Sequence, residues 1–92
     1  MLERDLERAM VHRVESIGGL HYKFTSPGRR GVPDRIVIFP GGKLVFVEMK
    51  RPGESLRADQ LREHGRLADL GQSVWTLASI LDINAFFRYH GF

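Results

Sequence analysis

Three side chains in the middle of this chain have types and spacing that could do chemistry: Asp34, Glu48 and Lys50. Pro33-Asp34 opens one β-branched run, and Glu48-Met49-Lys50 closes the next, just before Arg51-Pro52-Gly53 leaves it. Side chains alternate along a strand, so Glu48 and Lys50 share a face. A carboxylate and an ammonium at the end of an otherwise apolar strand face need a partner or a metal if they are buried. Were Asp34 to join them, the two carboxylates would repel, each driven toward protonation unless a divalent cation sat between them. Mg²⁺ suits an all-oxygen site. Such an ion neutralises a phosphodiester and lowers the pKa of an attacking water, which Lys50 would orient or deprotonate.

That chemistry requires a particular strand register. If Gly41-Gly42 were a two-residue loop pairing Pro40 with Lys43, Asp34 would lie opposite Met49, on the wrong face. A shared site therefore predicts a three-residue or bulged Pro40-Gly41-Gly42 connection, or a bend at Pro33, that sets Asp34 opposite Glu48.

The surrounding pattern supplies the elements. Leu2, Leu6, Met10, Val14 and Ile17 form one stripe of an amphipathic helix, stopped by Gly18-Gly19. Leu20, Tyr22 and Phe24 alternate with His21, Lys23 and Thr25, as in a half-buried strand. A basic loop, Ser26 to Pro33, leads into Arg35 to Phe39 and, after the turn, Leu44 to Lys50; this apolar pair reads as a hairpin covered on both faces. Ser55 can cap a helix from about Leu56 to Leu70, with Leu61, Leu67, Ala68 and Leu70 inward and Gly71 ending it. Gly65 within it suggests close packing. Ser73 to Leu77 is a last strand, and Ser79 with Asp82 begins a final helix carrying Ile83, Phe86 and Phe87. The order is αβββαβ with a C-terminal helix, an α/β fold with a mixed central sheet flanked by helices, expected to form a single domain over residues 1–92.

Composition narrows the classes. The 92 residues carry 42% hydrophobic and 27% charged side chains, those of a globular chain rather than a disordered one. No cysteine is present, which excludes disulfide frameworks, thiolate zinc sites and thiol nucleophiles. No apolar run spans a membrane and the charged N-terminus is not a signal peptide, so a cytoplasmic protein is expected. The net charge of +3 is uneven: Ser26 to Arg51 holds six basic residues and two acids, a net +4, leaving −1 elsewhere. Arg29, Arg30, Lys43 and Arg51 flank the proposed site in sequence and are candidate phosphate contacts. His12, His21, His64 and His90 have no paired metal-ligand spacing and read as surface or interfacial residues, while Trp75, Phe86 and Phe87 read as core or dimer contacts. A domain this small buries about 60 to 65% of its unfolded surface, so a second copy supplying further burial is expected.

Gly31-Val32-Pro33-Asp34-Arg35, the strand Phe46-Val47-Glu48-Met49-Lys50 and the downstream Gln60 together resemble the PD-(D/E)XK nucleases, specifically the VRR-NUC branch. The resemblance covers nearly the whole chain and implies a restriction-endonuclease-like core. It implies Asp34, Glu48 and the Met49 carbonyl as ligands of Mg²⁺ or Mn²⁺, Lys50 as the catalytic lysine, and Gln60 as a residue orienting water or phosphate. It also implies an acid from the first helix, for which Glu3 and Glu7 are both available and Glu3 is favoured. The expected activity is metal-dependent DNA endonucleolysis. Without a sequence-reading module it should be selective for branched DNA such as Holliday junctions or flaps, in repair, recombination or phage replication. The implied protein is a homodimer in a bacterial cell or phage-infected host. The alternative is a catalytically weak DNA-binding subunit of a replication or recombination complex.

Overall fold

Apolar side chains four residues apart make the first helix, α1 (Glu3–Ser16), whose buried stripe is Leu6, Met10 and Val14. In the computed structural model, which describes all residues 1–92, it is followed by β1 (Leu20–Lys23), β2 (Arg35–Ile38), β3 (Leu44–Met49), α2 (Ala58–Asp69), β4 (Val74–Leu77) and α3 (Ile80–Tyr89). The α/β order matches the sequence reading. The four strands form one mixed sheet in the order β1-β2-β3-β4, antiparallel except for the parallel β3–β4 pair. No helix is long and apolar enough to cross a membrane.

The hairpin between β2 and β3 has the register that a shared site requires. The Phe39 amide donates to the Lys43 carbonyl at 2.9 Å, which leaves Pro40-Gly41-Gly42 as a three-residue connection. Gly41 and Gly42 both have φ near +97°, at 98° and 96°, a conformation that a side chain would strain. Arg35 consequently pairs with Val47, and one step further along this register Asp34 lies opposite Glu48.

One face of the sheet carries the core. Val37, Phe39, Val45, Val47, Met49 and Leu77 are buried there beneath α1 and α3, the latter adding Ile83, Phe86 and Phe87. Phe39 meets Phe86 and Phe87 with ring centroids 5.3 and 5.8 Å apart, and Trp75 packs on Phe86 at 5.3 Å. Of the aromatics read as core or dimer contacts, Phe86 and Phe87 lie in the core and Trp75 is partly buried against it. Ser79 caps α3, its hydroxyl accepting from the Asp82 amide at 3.0 Å.

The other face departs from the sequence reading in five respects. The hairpin is not covered on both sides: Leu44 is exposed and Ile36, Ile38 and Phe46 are only partly buried. In β1 the alternation is inverted, with Leu20 and Tyr22 exposed and His21 turned inward, because α1 covers the opposite face of this edge strand. In α2 the buried residues are Gln60, Glu63 and His64, whereas Leu61 and Leu70 are 60% and 80% exposed and Ala68 is exposed. This helix leans on the polar end of the sheet, so its inward stripe is polar. Its start also falls later than expected, at Ala58 rather than Leu56, and Gly65 has open space around it rather than a packed neighbour. The close approach is at Gly31, φ +83°, where a Cβ would stand 2.3 Å from the Asp59 carbonyl oxygen. Only glycine lets the loop before Asp34 seat against the start of α2.

Candidate active site

The loop 26–33, the ends of β2 and β3, and the start of α2 converge on Glu48. Asp34 enters from the loop and is half-buried, its Oδ1 accepting from the Met49 amide at 3.4 Å. Glu48 is 5% exposed. Its Oε2 accepts from Gln60 Nε2 at 3.2 Å, and its Oε1 is buried with no hydrogen-bond partner. Burial, reinforced by the neighbouring Asp34 charge, raises the Glu48 carboxyl to a pKa of about 7, with the Lys50 ammonium pulling the other way. Asp34 is likewise raised, first by burial; the Met49 amide opposes this, and the charges of Glu3 and Glu7 add to it.

Lys50 follows Glu48 by two residues on the same face and is also 5% exposed. It forms no ion pair, leaving its ammonium available. Gln60 is fixed from both ends: its Oε1 accepts from the Arg57 amide at 2.9 Å, capping α2, while its Nε2 faces Glu48. The structure therefore brings Asp34, Glu48, the Met49 backbone, Lys50 and Gln60 together.

The first-helix acids reach the edge of this group. Glu3 and Glu7 line a hollow together with Lys23, Asp34 and Arg35. Glu7 is taken up by an ion pair with Arg35, a buried residue that also approaches His21 Nδ1 at 3.3 Å. Glu3 has no such partner. No three carboxylate or imidazole side chains close to ligating distance, so neither helix acid completes a cluster with Asp34 and Glu48.

The donor set nonetheless suits a hard divalent cation. Two adjacent carboxylates with raised pKa values and one orphaned buried oxygen are costly as they stand, and a cation between them removes both costs. Mg²⁺ and Mn²⁺ accept an oxygen set completed by a backbone carbonyl and water.

Among the candidate phosphate contacts, Arg29 and Arg30 line the molecule's largest hollow, beside α2, with Arg62, Arg66, Asp59 and Glu63. Glu63 Oε1 is shared by Arg29 at 3.5 Å and Arg66 at 3.7 Å, and Asp59 by Arg57 at 3.1 Å and Arg30 at 3.9 Å. Arg62 has no acidic partner. Arg51 lies outside this hollow and pairs with Glu54 at 3.7 Å. Lys43 is not brought to the site: it occupies the hairpin turn at the opposite end of β3, roughly 17 Å from Glu48 at the rise of an extended strand.

Sequence reasoning missed His64, which is buried at 7% exposure with its Nε2 3.6 Å from Glu48 Oε1. Burial and the Lys50 charge lower its pKa, so this approach is not an ion pair. The available signal was its position four residues after Gln60, one turn along the same helix face. Arg62 and Arg66, likewise four apart, were also passed over.

No family model matches the chain. It is 56% identical over 77 residues to a protein provisionally named nuclease p44, from Acyrthosiphon pisum secondary endosymbiont phage 1, the match covering 84% of this chain and 83% of that one. Among solved structures it resembles a VRR_NUC domain, with a TM-score of 0.88, 32% identity, and 96% of each chain covered.

Proposed function

This chain belongs to the VRR-NUC family of nucleases, and we propose that it is a divalent-metal-dependent DNA endonuclease whose active site is Asp34, Glu48, Lys50 and Gln60. The observation that carries this reading is the buried Asp34–Glu48 pair, with its raised pKa values and unsatisfied Oε1, facing an unpaired lysine.

Asp34, Glu48 and the Met49 carbonyl would hold Mg²⁺ or Mn²⁺, with Glu3 nearer to serving as an additional acid than the Arg35-bound Glu7. When bound, the ion supplies charge neutralisation at the phosphate and a more acidic water. Lys50, buried two residues from Glu48 and free of any ion pair, would orient the attacking water or take its proton. Gln60 holds the Glu48 carboxylate in place by its amide N–H, and its own orientation is fixed by the helix cap.

Arg29 and Arg30, with Arg62 and Arg66 across the same hollow, would provide the cationic contacts for the DNA backbone. Arg62 has no acidic partner and Arg30, 90% exposed, is only 3.9 Å from Asp59, so both guanidiniums can turn to phosphates at little cost. No element presents a reading helix or ribbon, which favours recognition of DNA shape, with junctions and flaps as the substrates. The half-open sheet face, with Leu20, Tyr22 and Leu44 exposed, supports a homodimer that would offer two sites to a branched duplex.

The test incubates the protein with labelled four-way, flap, single-stranded and linear duplex DNA in Mg²⁺, Mn²⁺ or chelator. Wild type should cut branched DNA only with metal, and Asp34→Ala and Lys50→Ala should each lose about 10³-fold or more in rate. Equal cleavage by all three, or cleavage in chelator, refutes the mechanism; salt-dependent binding without any cut product makes the chain a binding subunit instead. Sedimentation should give a dimer that Tyr22→Asp converts to monomer, whereas a monomeric wild type rejects the two-site arrangement.

A further inference from the structure

Three buried side-chain polar atoms in this protein have no hydrogen-bond partner: Glu48 Oε1, His64 Nε2 and His90 Nε2. His90 lies apart, stacked on Phe39 in the aromatic core at 4.4 Å between centroids. The other two face one another at 3.6 Å, just beyond hydrogen-bond length, a gap that a small rotation of either side chain closes. Two unsatisfied groups set against each other in a native interior call for an explanation.

We propose that His64 positions the Glu48 carboxylate, holding Oε1 while Gln60 holds Oε2, so that one face of α2 clamps the metal-binding acid at both oxygens. Gln60 and His64 are one helical turn apart and both buried, and the intervening Glu63 is engaged by Arg29 and Arg66. The imidazole also lies near the Gly31 backbone, the point where the loop carrying Asp34 seats on α2. His64 thereby sits between the strand that bears Glu48 and the loop that leads to Asp34. A plain packing role fits poorly, because α2 contributes no fully buried apolar side chain and the hydrophobic core lies across the sheet. Ligating carboxylates depend on such outer hydrogen bonds for orientation.

The inference rests on the metal-dependent nuclease reading above, and its test separates the two. Wild type, His64→Phe, which keeps the ring and removes the nitrogens, and His64→Gln, whose amide can donate to Oε1, are compared. Mn²⁺ affinity is measured by calorimetry without DNA, beside single-turnover cleavage and thermal melting. His64→Phe should bind Mn²⁺ about 10- to 100-fold more weakly and lose kcat with KM for DNA unchanged, and His64→Gln should recover most of both. His64→Leu replaces the Phe variant if the latter does not fold. The proposal is overturned if the apolar variant binds Mn²⁺ and cleaves within about twofold of wild type, or if His64→Gln is as impaired as it is. A wild type that binds no Mn²⁺ and cuts no DNA overturns both readings.

Discussion

On one face of the sheet, α1 and α3 press Leu6, Met10, Val14, Ile83, Phe86 and Phe87 onto Val37, Val45 and Val47; on the other, α2 presses Gln60, Glu63 and His64 toward Glu48 and Lys50. The two layers use the same geometry, a helix on strands, with opposite chemistry. Nearly all the apolar burial sits on the first face. The second can therefore carry charges that are costly when buried. A small domain keeps such a site by vesting its stability elsewhere.

This division can be broken by mutation, beginning with the largest effect. Phe86→Ala opens a cavity among Phe39, Trp75 and Phe87 and should cost about 4 kcal/mol of stability in chemical denaturation. The rate per folded molecule should stay near wild type, and a cleavage defect beyond the loss of folded protein would mean that the two faces are not separate.

Next is the pH dependence of the metal-free protein. Glu48 has a folded pKa of about 7 against an ordinary 4.5, so between those values the folded chain holds a proton that the unfolded chain has released. Stability contributed by this group is therefore lost as pH rises from about 4.5 to 7, by roughly 2–3 kcal/mol, and Asp34 acts in the same direction. Melting of wild type and Glu48→Gln at pH 5 and pH 8 should show the wild type losing more on going to the higher pH. Added Mg²⁺ should restore the wild type at pH 8 and leave the variant largely unmoved. Parallel curves would place the cost of the charged face elsewhere.

The smallest effect sharpens the contrast within α2 itself. Leu61→Ser and Leu70→Ser lie on its exposed side and should change stability by no more than about 0.5 kcal/mol each in urea unfolding. A loss of several times that would mean these leucines are covered by another chain.

The same division explains what was legible in the sequence. On the apolar face, periodicity identified every buried residue of α1 and the aromatic set of α3, because there the buried stripe is the hydrophobic one. On the polar face the same rule pointed the wrong way: Leu61 and Leu70 were turned inward and His64 outward, since the rule assumes that burial follows hydrophobicity. Leu20 and Tyr22 of β1 were misassigned because which face of an edge strand gets covered depends on where a distant helix lands. The register of the hairpin was legible because a chemical requirement, Asp34 opposite Glu48, admitted a three-residue or bulged turn or a bend at Pro33, and Gly41 and Gly42 supply the first of these. Lys43 was misplaced by the opposite error, taking nearness in sequence to the hairpin for nearness to the end that bears the carboxylates.

The cap of α2 adds a link between helix integrity and the site. A glutamine amide can face its neighbours in two ways, and the Arg57 amide, donating to Oε1, selects the one that turns the Nε2 hydrogens to Glu48. Fraying of the first turn therefore frees the glutamate, and restraint of the glutamate stiffens the first turn. The Arg57 backbone proton becomes a native probe of the site, exchanging with solvent at a rate that reads how firmly Glu48 is held.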